Sequence, residues 1–278
     1  MKLTANRPGT LLDWLIVELK DHSRTQIKKW LAHGCVSVNG RVQTRHDTAL
    51  LPRDTVQISS FGLEKSPSGL RVLHEDASLL VVDKPAGLLT IATEKEKERT
   101  AYFEMNAYLK RSRGRVFIVH RLDRETSGLV VFAKTEEAKR KLQLTWEKTK
   151  KLYYAVVQGT LRTSADTISS HLSQNQALKV FSGEETRTSK YAVTKYRVLR
   201  RGKRFSLLEV EPVTGRKNQI RVHLADMGHP VAGDEKYGAR AAERLALHAW
   251  KLSFVHPFTG KPVTFESPLP EELKRLAR

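Results

Sequence analysis

The stretch Val116-Phe117-Ile118-Val119-His120-Arg121-Leu122-Asp123-Arg124-Glu125-Thr126-Ser127-Gly128-Leu129-Val130-Val131-Phe132-Ala133-Lys134 sets two apolar runs on either side of a polar connection. Val116–Val119 and Leu129–Phe132 have the length and β-branched content of buried strands. A polar loop held between rigid strands is where catalytic groups usually sit. Asp123 is the carboxylate at its centre. The bland alternative is a charged turn in which Asp123 caps backbone amides and Thr126-Ser127-Gly128 make the bend. These residues alone leave both readings open.

Outward from this loop, further strand-like runs fall at Leu79–Val82, Tyr153–Val157, Tyr191–Leu199 and Phe205–Val210. Arg200-Arg201-Gly202-Lys203-Arg204 joins the last two as a basic hairpin tip. Helical patterns occupy about 98–111, 135–148 and 216–227. Strands outnumber helices and short turns join several of them. This predicts an α+β domain with a mixed, largely antiparallel sheet flanked by helices, and not a regular βαβ array.

Residues 59–70, SSFGLEKSPSGL, carry serine, glycine and proline without hydrophobic periodicity and read as a linker. Ahead of it the pattern is helix, helix, hairpin. Thr10 and Asp13 form a start box before Leu11, Leu12, Leu15, Ile16 and Leu19 on one face. Ser23 and Gln26 form a second box, with Ile27, Trp30 and Leu31 inward and Gly34 as the stop. Val36 and Val38 lead into Asn39-Gly40, a strong hairpin signal, and Thr55–Ile58 supplies another strand. The expected division is a small domain at 1–62, a linker at 63–70 and a larger domain at 71–278.

Composition narrows the function. Among 278 residues, 49 Lys and Arg stand against 30 Asp and Glu, a formal +19. Residues 1–62 hold 9 basic and 5 acidic side chains, and the rest 40 and 25, so the excess is spread along the chain. Such a field favours RNA, DNA or an acidic membrane surface. A single cysteine, Cys35, excludes a disulfide framework and a multi-cysteine zinc site. Phosphate loops, dinucleotide fingerprints and His-Glu-x-x-His helices are absent from the sequence, so neither a metal nor a cofactor is expected. Asp123 and Glu125 lie too close in sequence to straddle a sugar bond as glycosidase carboxylates do. No apolar run is long enough to span a bilayer, and the N-terminus lacks a signal core. A soluble cytoplasmic protein, with no membrane contact, is the expectation.

In the first segment Arg24, Lys28, Lys29, Asn39 and Arg41 are candidate RNA-binding residues, although a solvated helix face would look much the same. Residues 9–58 resemble the small RNA-binding domain of the ribosomal-protein S-four type. The resemblance rests on Ser23-Arg24-x-x-Ile27-x-x-x-Leu31 and Gly34-x-Val36-x-Val38-Asn39-Gly40. Where that family commonly has Gly-Asp before the last strand, this chain has Arg53-Asp54.

His120-Arg121-Leu122-Asp123-x-x-Thr126-Ser127-Gly128-Leu129 resembles the signature of the RluA-type pseudouridine synthases. Matching motifs follow the family's order: Lys84-Pro85-Ala86-Gly87, then Lys151-Leu152-Tyr153-Tyr154-Ala155 through Gly159, where the spacing selects Tyr153 over Tyr154. Thr214-Gly215-Arg216-x-x-Gln219-Ile220-Arg221-Val222-His223, Gly233-Asp234-x-x-Tyr237-Gly238 and Leu247-His248-Ala249 continue it, and the whole covers about residues 70–260. His120 stands where the related RsuA-type enzymes have glycine. Lys217-Asn218 departs from the usual Thr-His, which bears on substrate choice.

The resemblance implies a cofactor-free isomerase that detaches uracil from ribose at nitrogen 1, turns it and reattaches it through carbon 5. It implies Asp123 as the catalytic carboxylate, either attacking covalently or acting as a base. Arg221 would pair with Asp123, Tyr153 would lie against the uracil ring, and Arg121 would fill the gap left by the extracted nucleotide or hold its phosphate. His120 joins this substrate-binding set. The implied partner is RNA, ribosomal before transfer RNA, with no obligate protein partner. The competing class is a non-catalytic RNA-binding or ribosome-assembly factor on the same fold, whose mark is loss of Asp123, Tyr153 or Arg221. All three are present.

Overall fold

Thr10 begins the first helix as its spacing to Asp13 requires. Its hydroxyl donates to Asp13 Oδ2 at 2.7 Å, and its oxygen accepts the Asp13 N–H at 3.3 Å. The computed structural model describes the chain apart from residues 1, 21, 33–35, 59–67, 111–112 and 240–241. The helix stop at Gly34, Cys35 and most of the linker therefore lie outside the described residues. So does the side chain of Lys29. The chain divides into two compact units, Met1–Asp76 with Leu80–Val82, and Ala77–Leu79 with Asp83–Arg278.

In the first unit, helices Leu11–Glu18 and Arg24–Ala32 accompany an antiparallel sheet ordered Lys2–Thr4, Thr55–Ile58, Val36–Val38, Arg41–Val42. Leu11, Leu15, Ile27, Leu31, Val36 and Val56 are buried together, and Trp30 and Ile16 pack on them. Asn39 and Gly40 both take left-handed backbone, with φ of 51° and 78°, as the two-residue hairpin demands. Asn39 Nδ2 donates to Asp54 Oδ1 at 2.7 Å, its Oδ1 accepts the Thr55 N–H at 2.9 Å, and Asp54 Oδ2 accepts the Leu51 N–H at 2.7 Å. Arg53 has φ of 79°. The departure from Gly-Asp thus keeps the backbone that glycine adopts freely, at a penalty for an L side chain.

In the second unit the sheet runs, in order, Val180–Gly183, Ala165–Gln174, Lys190–Arg201, Phe205–Pro212, Lys150–Gln158, Leu247–Val255, Ser127–Ala133. Every neighbouring pair in that order is antiparallel except the last, which is parallel. The fold is α+β with a mixed, largely antiparallel sheet. Ala155, Val157, Leu208 and Val210 from its centre pack with Ile220 and Leu224 of helix Gln219–Asp226. That helix starts later than the expected 216 because Asn218 is left-handed, with φ of 54°. The pattern at 135–148 resolves into helix Glu136–Thr145 and a tighter turn at Trp146–Lys148. Strands Ala165–Gln174 and Leu247–Val255 escaped the sequence reading. Gly128, at φ 113°, lies so close to the neighbouring strand that a Cβ there would stand 2.2 Å from the Ala249 carbonyl oxygen.

Lys84 ends strand Leu79–Lys84 and is fully buried. Its ammonium donates to the carbonyls of Pro85 at 3.0 Å, Leu88 at 2.7 Å and Arg124 at 3.0 Å. Burial pulls this amine from 10.5 down to about 7, against the opposing pull of Glu125 and Asp123. Between those values the folded protein binds fewer protons than the unfolded chain, so stability rises with pH across that window. Denaturant midpoints at pH 7 and pH 9 should therefore show a larger gain for the wild type than for Lys84→Met; equal gains would contradict the assignment. For the first unit, Arg53→Gly should raise stability by about 0.5–1 kcal/mol, the relief of left-handed strain less the entropy of glycine. A thermal melt checks it.

Candidate active site

The backbone around Asp123 is gripped from both sides. Thr90 Oγ1 donates to the Leu122 carbonyl at 2.8 Å and accepts the Leu122 N–H at 3.1 Å. Beyond Asp123, the Arg124 carbonyl accepts from Lys84 and from the Gly87 N–H at 2.9 Å, while Arg124 Nε donates to the Gly87 carbonyl at 3.0 Å. The turn is closed by the Thr126 N–H on the Asp123 main-chain oxygen at 3.2 Å. Among the described residues the Asp123 carboxylate itself caps no backbone amide. It stays 39% exposed, in a cavity of about 380 Å³.

The cavity brings together Asp123, Tyr153, Arg221, His120 and Arg121. Arg221 projects from helix Gln219–Asp226 and is held at two points by Asp234: Nε to Oδ2 at 2.6 Å and Nη2 to Oδ1 at 2.7 Å. The Asp234 side chain is fully buried. This fork fixes the guanidinium plane. Its remaining nitrogen, Nη1, lies 3.7 Å from Asp123 Oδ2 and 3.3 Å from Asn218 Oδ1. Burial pulls the guanidinium down, but the Asp234 hydrogen bonds and charge, joined by Asp123, outweigh it and hold Arg221 above its ordinary value. Asn218 Nδ2 donates to the Tyr237 hydroxyl at 3.1 Å, and the Tyr237 ring lies 5.1 Å from the Arg221 guanidinium carbon.

Tyr153 stands on strand Lys150–Gln158, just after an irregularity in its pairing with Leu247–Val255. Burial first, and the Asp123 charge second, raise its phenol, so it remains neutral. Tyr154 points elsewhere and stacks on Trp250 at 4.8 Å. The His120 ring stacks on Trp146 at 4.5 Å, and its Nε2 accepts the Val131 N–H at 3.0 Å. Burial, then Lys151, pulls it down to about 3, so the ring is a neutral wall. Arg121, Arg216 and Lys217 are exposed around the cavity.

Arg24, Lys28 and Arg41, in the first unit, are exposed. Asn39 differs from them, since both ends of its amide are engaged within the hairpin. In the sequence, Asp234 and His248 stand within motifs with no part assigned, and Asn218 bears only on substrate choice. His248 belongs to a buried chain in which Ser267 donates to Asp83 at 3.0 Å, His248 Nε2 meets Ser267 at 3.1 Å and Ser127 meets His248 Nδ1 at 2.8 Å. Burial lowers His248 to about 4, consistent with a neutral ring passing one hydrogen bond on. The signal for Asp234 was an acid in an otherwise apolar Pro230-Val231-Ala232-Gly233 run, which demands a buried cation. Among the described residues no three His, Cys, Asp or Glu side chains converge as metal ligands.

Comparison with known proteins shows the family. The family model for RNA pseudouridylate synthase matches residues 78–226. The uncharacterized RNA pseudouridine synthase YlyB of Bacillus subtilis is 36% identical over 271 residues, covering 92% of this chain and 89% of that protein. Ribosomal large subunit pseudouridine synthase D of Pseudomonas aeruginosa is 35% identical over 303 residues, covering 95% and 90%. In fold, the solved human RNA pseudouridylate synthase domain containing 4 superposes with a TM-score of 0.63 at 23% identity, over 74% of this chain and 92% of that one. With half the chain under the family model and relatives matching along nearly all of its length, this chain belongs to the RNA pseudouridylate synthase family and is an RNA pseudouridine synthase.

Proposed function

We propose that Asp123 is the catalytic carboxylate and that the target uridines lie in structured ribosomal RNA. The observation that carries the catalytic reading is the meeting of Asp123, Tyr153 and Arg221 in one cavity with the Asp123 backbone clamped on either side. A uridine turned out of its stack enters base first, and Tyr153 bounds the space in which the detached uracil must turn. Asp123 reaches sugar and base, and Arg221, itself fixed by Asp234, sets the direction of the carboxylate. His120 gives the wall its shape, and Arg121 holds the RNA strand at the mouth. The reaction is an isomerisation and needs no electron, phosphate or external group.

The ribosomal target rests on the Pseudomonas relative, which is named for the large ribosomal subunit, and on the basic charge of the chain. The proposed division is an S-four-like RNA-binding domain at 1–62, a linker at 63–70 and the catalytic domain at 71–278, in a cytoplasmic protein. Arg24, Lys28 and Arg41 supply the phosphate contacts of the first domain.

Asp123→Asn should reduce pseudouridine formation to background while RNA affinity stays near wild type. Substantial retained turnover would overturn the catalytic assignment. Asp234→Asn should lower kcat far more than it raises KM, because Arg221 loses its anchor but stays charged; a change confined to KM would argue against a positioning role. Removing residues 1–62 should flatten the log–log salt dependence of RNA affinity by about two to three units, near one per lost phosphate contact. An unchanged slope would assign that domain to another partner.

A further inference from the structure

The tip between strands Lys190–Arg201 and Phe205–Pro212 is built rigidly although it is exposed and strongly basic. The Gly202 N–H donates to the Phe205 carbonyl at 2.9 Å, Thr160 Oγ1 donates to the Gly202 carbonyl at 2.9 Å, and the Gly159 N–H donates to the Arg204 carbonyl at 2.8 Å. Arg201 is spent on neutral oxygens, the Leu161 carbonyl at 3.1 Å and Ser164 Oγ at 2.8 Å, which draws the segment bearing Arg162 alongside. An irregularity between Val198 and Arg200 shifts the pairing by one residue, so that Arg200 pairs with Leu207 and turns to the opposite face from the one an uninterrupted strand would give it.

The glutamates of the helix beside this end are already paired. The main-chain oxygen of Ala277, beyond the C-terminal helix Glu271–Leu276, would lie 3.8 Å from a Cβ at Gly202, so that helix packs beside the tip. Its Glu271 pairs with Lys274 at 2.5 Å and its Glu272 with Arg244 at 2.9 Å, while Glu243 pairs with Arg275 at 3.7 Å. Arg162, Arg200, Lys203 and Arg204 are exposed and have no acidic partner among the described residues. Four like charges on a fixed scaffold repel one another unless an anion joins them.

We propose that this cluster is a second RNA-binding site, which holds the phosphate backbone of a segment flanking the target nucleotide. Tyr153 pairs with Val210 and Gln158 with Phe205, so the tip stands five strand residues from the proposed catalytic cavity, roughly 17 Å at 3.3 Å per residue. That span takes in several nucleotides of an RNA strand. The site carries no base-reading pattern. It reads position and charge, and it favours substrates in which a structured flank sits at that distance from the extracted uridine.

The test uses the full chain and an unmodified large-subunit ribosomal RNA transcript on which the wild type forms pseudouridine, so a failure of the ribosomal assignment shows itself first in the wild type. Arg200→Gln, Lys203→Gln and Arg204→Gln combined should flatten the salt slope of RNA affinity by about two to three units. KM should rise at least tenfold, with kcat at saturation within twofold of wild type. The charge-preserving set Arg200→Lys, Lys203→Arg and Arg204→Lys should keep both slope and KM, which separates lost charge from a damaged hairpin. A control triple on other exposed cations, Arg140→Gln, Lys148→Gln and Lys261→Gln, should change the slope by less than one unit. The proposal is overturned if the Gln triple leaves slope and KM unchanged, if the control triple matches it, or if the charge-preserving set fails equally.

Discussion

A buried ammonium is tolerable only where its N–H groups all find acceptors, and Lys84 finds three, one of them on Arg124. That one constraint joins the end of a core strand to the residue following Asp123. Thr90 applies the matching restraint to the residue before it. The loop is therefore a rigid mount, and the carboxylate it carries is free of structural duty. A charged turn of the ordinary kind would show the reverse, with the side chain spent on backbone amides and the main chain loose.

The loop around Asp123 and its flanking strands were legible because they use local signals: β-branched runs, a polar break and a glycine at the close approach to Ala249. The helix–helix–hairpin of the first unit was legible for the same reason, through its start boxes and Asn39-Gly40. Strand Ala165–Gln174 was not. It lies toward the outer end of the sheet and most of it is exposed or only partly buried, so it has none of the apolar content by which strands were recognised. The helix bearing Arg221 was placed three residues early, because the left-handed residue that delays it is an asparagine and announces itself less plainly than glycine.

Within the site, the residue types read from the sequence do meet in space, while the groups that hold them went unassigned. Asp234 is thirteen residues from Arg221, and nothing in the spacing of the two says that they form a fork. The Asp83–Ser267–His248–Ser127 chain spans most of the second unit and is a product of sheet order alone. Lys217-Asn218 stood out only as a departure from a pattern. In the fold, Asn218 takes up a positioning task between Arg221 and Tyr237, and Lys217 is left facing solvent at the mouth.

The two-point bond between Arg221 and Asp234 also sorts charge by depth. Beside Arg221 the carboxylates of Asp123 and Asp234 outnumber its single positive charge, whereas Arg121, Arg216 and Lys217 are exposed around the cavity and Lys151 lines its wall. A nucleotide is polarised in the matching sense, with its anion at one end and an uncharged base at the other. A phosphate is favoured beside those exposed cations and disfavoured beside the two carboxylates. Uridine and its isomer carry identical charge, so the same field holds product no more tightly than substrate.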